Sequence, residues 1–160
     1  YRDTTGLTIV AKHALAGGIL GNAVAKRAIH RTYYAVCSGC TPICMRISAP
    51  IARKDASTIE RCVDFKHGEY AVTDFIRIKY NPDNNLSLVK LRLLTGRTHQ
   101  IRVHMKYIGF PLIGDFLYNP DYTYISRQAL HSGRLVFTHP VTGQKMNLIS
   151  DIPSDMKSLF

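Results

Sequence analysis

The chain has 160 residues, 46% of them hydrophobic and 20% charged, which suits one folded domain with a core and excludes a disordered or fibrous chain. Lysine and arginine number 21 against 11 acids, a net charge of +10 that favours a polyanionic partner, nucleic acid before an anionic membrane. No run approaches the roughly 18 uninterrupted apolar residues of a membrane span, and the charged, turn-forming opening YRDTTG does not read as a secretory signal.

Residues 7–11 (LTIVA) form a short apolar run that reads as a buried strand. Between 14 and 28, Leu15, Ile19, Ala23 and Val24 recur at helical spacing, although Gly17, Gly18 and Gly21 each weaken a helix by about 1 kcal/mol relative to alanine. Residues 31–38 and 43–47 read as strands around a turn at Gly39 and Pro42. The stretch 48–68 is polar and mixed, and is expected to be a loop with little regular structure. Residues 71–80 alternate along a strand, NPDNN at 81–85 supplies turn chemistry, and 86–94 runs back as the second arm of a hairpin. A second hairpin is expected from 135–137 and 146–149, with Gly143 available for positive φ between them.

Many strands, few helices and no alternating strand–helix order predict an α+β fold: a largely antiparallel mixed sheet with flanking helices. No linker, repeat or low-complexity tract divides the chain, so 1–160 reads as one domain. Four cysteines are too few for a disulfide scaffold. Cys37, Cys40 and Cys44 cluster, but no paired spacing completes a zinc site, and Cys37 falls within a strand as a small hydrophobe. No metal is expected, and the thiols read as reduced and cytosolic.

The chemistry-bearing stretch is LRLLTGRTHQIRVHMKYIGFPLIGD, residues 91–115. A strand ends at Leu94, and Thr98 is expected to cap a helix with Ile101, Met105 and Ile108 as its apolar stripe. Gly109 stops that helix and Pro111 prevents its continuation. His99, Arg102 and Lys106 share another face, which on pattern alone is either solvated or a nucleic-acid contact. Arg97 projects from the strand–helix turn, beside backbone N–H groups and the positive end of the helix, a place suited to phosphate or carboxylate.

The segment LLTGRTHQIRVHMKYIGFPLIGDFLY at 93–118 resembles the signature of the ribosomal large-subunit (RluA-type) pseudouridine synthases. RDTTGLTIVAK at 2–12, RTYYAV at 31–36, AVTDF at 71–75 and ALHSGRLVFTHPVTGQ at 129–144 resemble other motifs of that family, in the family's order and across nearly the whole chain. The resemblance implies the pseudouridine synthase catalytic fold and isomerisation of uridine in structured rRNA or tRNA. It implies no cofactor or metal, a cytoplasmic location and a monomer. The target base is flipped out of the RNA into a pocket. A carboxylate nucleophile drives cleavage of the N-glycosidic bond, and the uracil turns and rejoins the ribose through carbon 5.

Carried onto this sequence, Tyr33 takes the place of the tyrosine that stacks on the base. Arg97 takes that of the basic residue paired with the catalytic carboxylate, which such a pair keeps ionised and oriented. Arg2, Arg31, Thr98, His99, Arg102 and Lys106 are the expected RNA contacts, with His99 and Arg102 either structural or phosphate-binding. Anchored on Thr4-Thr5-Gly6, the nucleophilic aspartate falls on Tyr1, and the arginine before it falls upstream. The chain is then the C-terminal part of a longer catalytic domain, or a homologue with a true Asp→Tyr replacement kept as an RNA binder. A third alternative, Asp3 as nucleophile, sits about 6.6 Å further along an extended strand. A phenol with pKa near 10 is largely protonated at neutral pH, so the chain as it stands is expected to be inactive.

Overall fold

The computed structural model describes residues 3–160, so Tyr1 and Arg2 lie outside the described residues. Chain order is β1 (Thr5–Gly6), α1 (Ala14–Ala25), β2 (His30–Ser38), β3 (Cys44–Ser48), β4 (Ile51–Arg53), β5 (Arg61–Val63), β6 (Val72–Asn81) and β7 (Leu86–Leu93). Then follow α2 (Gln100–Tyr107), β8 (Leu130–Thr138), β9 (Lys145–Ile149) and α3 (Ser154–Lys157). The main sheet runs β1-β8-β2-β7-β6-β3, with β9 on the same edge of β8 as β1, and only the β1–β8 pair is parallel. The expected α+β fold on a largely antiparallel mixed sheet is thus present.

β2 shows why the sheet is central. Its period of two sends Tyr33, Ala35 and Cys37 to the front and Tyr34 and Val36 to the back, and apolar clusters cover both sides. On the front, Phe75, Val89, Leu91 and Ile47 meet Ile101 and Met105 of α2, the expected helical stripe. On the back, Val36 and Leu86 pack with Ile113, Ile125, Ala129 and Met156 of α3, covering one end of the sheet. A third cluster, Ile51, Ala71, Val103 and Tyr118, fastens the β4–β5 hairpin to α2.

Both expected hairpins form, as β6–β7 and β8–β9, and Cys37 is buried as a core thiol. Four expectations are corrected. Residues 7–11 are not a buried strand: β1 stops at Gly6, and Thr8, Val10 and Ala11 are exposed. The edge of β8 explains this, because Leu7 N–H bonds Ser132 O and the next carbonyl, Gly133 O, already accepts from Ser150 N–H at the end of β9. The helix α1 ends at Ala25, and its apolar residues Leu15, Ile19 and Val24 are exposed, with only Ala16 buried. The stretch 48–68 is not an irregular loop but holds the antiparallel β4–β5 pair, whose three-residue strands are too short to show a period. Helix α2 is not capped by Thr98: it starts after His99, which takes a left-handed φ of 57°. No helix among the described residues is long and apolar enough to cross a membrane.

Candidate active site

The turn from β7 into α2 is held by buried polar residues. Gln100 Oε1 accepts from Thr95 Oγ1 at 2.8 Å and from Arg97 N–H at 2.9 Å, while its Nε2 donates to Val72 O at 2.9 Å and Thr73 Oγ1 at 3.0 Å. Val72 N–H donates in turn to Thr95 Oγ1. One turn on, His104 is fully buried between Thr73 Oγ1 and Ala49 O, at 2.9 and 2.8 Å. A carbonyl can only accept, so Nε2 carries the proton and Nδ1 accepts from Thr73. Burial holds this imidazole below the usual histidine range, and neutral. The Arg97 N–H expected to face an anion is therefore taken by Gln100.

His99, Arg102 and Lys106 do share a face, and that face grips Tyr118, with only Lys106 at its solvent edge. Tyr118 Oη accepts Arg61 N–H at 2.8 Å, leaving its own proton for His99 Nδ1 at 3.0 Å. That bond needs a neutral His99, whose pKa is pushed down to about 4 by burial and by the cations of Arg102 and Arg61. The Arg102 guanidinium lies 4.9 Å from the Tyr118 ring centre, with Lys106 Nζ at 5.5 Å. Arg102 is itself buried and bidentate to the fully buried Asp115, both bonds at 2.7 Å. Asp115 Oδ1 also accepts the N–H groups of Leu117 and Tyr118, so this pair shapes the 115–118 turn rather than meeting solvent. Lys106 is exposed.

Other cations converge beside this turn. Arg53, Arg61, His67, Glu69, Arg97 and Thr98 line an open cleft of about 420 Å³ between the β4–β5 hairpin and the start of α2. Arg97 donates to the Glu69 carboxylate and to Tyr70 O. Its partners thus come from the segment entering β6, on the side of β7 away from β2. The carboxylate it holds is Glu69; the position expected for its catalytic partner falls on Tyr1, outside the described residues. Arg53, Arg61, His67 and Glu69 were not singled out from the sequence, because only the folded β4–β5 hairpin brings them beside Arg97.

Tyr33 sits half-buried at the edge of the front cluster, and Arg31 projects from the same face of β2. A β-bulge lies opposite them: Thr32 pairs with Arg134 and Tyr33 with Ser132, so Gly133 is the extra residue. The bulge needs glycine, since a Cβ there would stand 2.5 Å from the Tyr34 ring. Bulges re-aim side chains beside active sites, and this one sits where β2 presents Tyr33. Among the described residues, no group of three or more His, Cys, Asp or Glu side chains could hold a metal ion.

The RNA pseudouridylate synthase family model matches residues 2–107. An uncharacterised RNA pseudouridine synthase of Bacillus subtilis (strain 168), YjbO, is 45% identical over 160 residues, covering 99% of this chain and 56% of that protein. Ribosomal large subunit pseudouridine synthase D of Zymomonas mobilis is 37% identical over 169 residues, covering 99% of this chain and 53% of that one. Among solved structures, human RNA pseudouridylate synthase domain containing 1 superposes with a TM-score of 0.75 at 25% identity, over 89% of this chain and 62% of that chain. The chain belongs to the RNA pseudouridylate synthase family. It spans about half the length of the curated relatives it matches.

Proposed function

We propose that this chain is the greater part of a catalytic domain that isomerises uridine to pseudouridine in structured rRNA or tRNA. In this reading the protein is a cytoplasmic monomer and uses no cofactor or metal. The family match over residues 2–107 carries it, because it spans both the Tyr33 strand and the TGRTHQIRVH turn. The reaction breaks the bond between ribose carbon 1 and uracil N1, forms one to carbon 5, and moves the carbon 5 proton off as N1 gains one. Tyr33 stacks on the flipped base. Arg31, Thr98, Arg97 and Lys106 meet the RNA backbone, while Arg102 and His99 act by holding Asp115 and Tyr118 in place. The nucleophile position falls on Tyr1, so the chain as it stands binds RNA without turning it over.

That tyrosine also favours a second reading, an RNA-binding homologue without chemistry. Tritium release from RNA labelled at uridine carbon 5 separates the two. The chain as given is expected to release none, and a version extended upstream with Tyr1→Asp is expected to release it. If the extended, folded Tyr1→Asp protein binds total cellular RNA but releases no tritium, the enzymatic reading falls and the binding one takes its place.

A further inference from the structure

Among the described residues, the back of the sheet is covered by an apolar cluster at one end. Beyond the α3 cluster, the pairing register lays one straight row across five strands: Arg46 on β3, Asp74 on β6, Arg92 on β7, Thr32 on β2 and Arg134 on β8. All five belong to the face that also carries Tyr34 and Val36, opposite Tyr33 and α2. Lys90 stands in the neighbouring row, paired with Ile76 and Tyr34. His30 flanks the row on the other side, opposite Val136. His30, Thr32, Asp74, Lys90, Arg92 and Arg134 line an open groove of about 580 Å³, with Ile76 and Val136 among its apolar lining and Arg46 just outside it.

The charge of this face is lopsided. Asp74 is the one acid in the row and is claimed by Arg46, whose two bonds to its carboxylate measure 2.6 and 2.8 Å. Arg134 donates to Asn147, a neutral partner. Among the described residues Lys90 and Arg92 make no side-chain hydrogen bond or close ion pair, although Arg92, opposite Asp74, also helps hold that carboxyl ionised, and both cations are exposed. β7 lies in mid-sheet, where side chains are normally half-buried, so exposed cations at its centre, beside the apolar Ile76 and Val136, suit a wet, anionic partner better than a protein core. Strands lie about 4.8 Å apart, so Arg46, Arg92 and Arg134 recur at about 9.6 Å along a line. A phosphodiester backbone, with a charge at every nucleotide, can follow such a line.

The row also continues from the cleft. Arg46 stands two residues before the end of β3, and Ala49–Pro50 lead from there directly into β4, which lines the cleft. A strand of RNA leaving the cleft therefore meets Arg46 after rounding one edge of the sheet. We propose that this open back face is a second RNA-backbone surface, in which Lys90, Arg92 and Arg134 bind phosphates of a segment distant from the target uridine. The inference rests on the reading that the chain acts on RNA.

The test compares the chain with its Lys90→Gln, Arg92→Gln, Arg134→Gln triple variant for binding to a structured RNA of several tens of nucleotides, across a salt series. Each phosphate contact contributes about one to the slope of log affinity against log salt, so the triple variant is expected to lose about 2–3 of that slope, equally for RNAs of unrelated sequence. An unchanged slope with a folded variant overturns the inference, as would a loss confined to one RNA sequence. Photocrosslinking of the unmutated chain keeps the test decisive should the variant misfold: peptides covering β7 and β8 are expected to carry crosslinked nucleotide, and crosslinks confined to the cleft overturn the inference. Unmutated protein with no salt-dependent RNA binding removes the RNA reading itself. Normal binding by the variant, with acidic proteins but not RNA competing for this face, removes only the present proposal.

Discussion

Arg102 and Asp115 make one buried unit, and cutting it has a cost that their positions in the chain do not advertise. Removing the guanidinium leaves a carboxylate with no exposure to water and, among the described residues, two backbone donors as its remaining partners. Arg102→Ala is therefore expected to lower stability by about 3–5 kcal/mol, while Lys106→Ala, on the exposed side of Tyr118, costs under about 1 kcal/mol. Denaturant midpoints decide this, and similar small losses from both would show that the pair is not held as described. The sequence made Arg102 stand out but not its partner, which lies 13 positions on in a turn with no periodic signal. The same applies to His99 and His104. The spacing of His99 suggested a contact with RNA and His104 was not singled out, whereas burial beside Tyr118 and Thr73 keeps both neutral.

Those two histidines also give the fold a pH dependence whose direction follows from their shifts. Both have folded-state pKa values below the ordinary 6.5, His99 at about 4. Between those limits the unfolded chain binds protons that the folded chain refuses, so stability is full above about pH 6.5 and falls as the pH drops toward 4. Urea midpoints measured from pH 7 to pH 4 are expected to decline, and to decline less steeply in His99→Gln. Parallel declines in the two proteins would assign the effect to other groups.

Among the elements, two glycines show how differently the same residue can be used. Gly133 is the bulge residue opposite Thr32 and Tyr33, and the ring of Tyr34 already occupies the space a Cβ would need. Gly18 lies in exposed helix α1 with nothing within 4 Å of an added Cβ. Gly133→Ala is expected to destabilise by about 1–3 kcal/mol through overpacking. Gly18→Ala is expected to stabilise by about 0.5–1 kcal/mol by reducing the freedom of the unfolded chain. Thermal unfolding should shift down in Gly133→Ala, whereas Gly18→Ala should raise hydrogen-exchange protection within α1, and a missing loss in the first or missing gain in the second would refute the assignment. Legibility differed among elements for the same kind of reason. The β6–β7 hairpin showed itself through its β-rich run and NPDNN, and the stripe of α2 through its 3.6-residue period. β4 and β5 had only three residues each, and no local pattern says that β9 takes the edge of β8 and ends β1.

Across the whole molecule, the sheet has a front that is packed and chemical, and a back that is half packed and half cationic. The core is concentrated on β2, β7 and α2, where Ala35, Val89, Leu91 and Met105 are fully buried. α1 stands at the other extreme. It buries only Ala16, has no side-chain cap, and carries three glycines in 12 residues. A helix of that length is marginal in water even with good formers, and tertiary packing normally supplies what propensity lacks. In this chain that packing is small, so α1 is expected to open independently while the sheet stays closed. Native-state hydrogen exchange should rank the amides accordingly: fastest in α1, slower in β9 at the edge, slowest in β2 and β7, which are paired on both sides. The gap between α1 and β2 should approach the full unfolding free energy, because opening α1 exposes almost no core. Protection in α1 equal to that in β2 would mean that its exposed Leu15, Ile19 and Val24 are covered in solution, and that the helix is part of the same cooperative unit as the sheet.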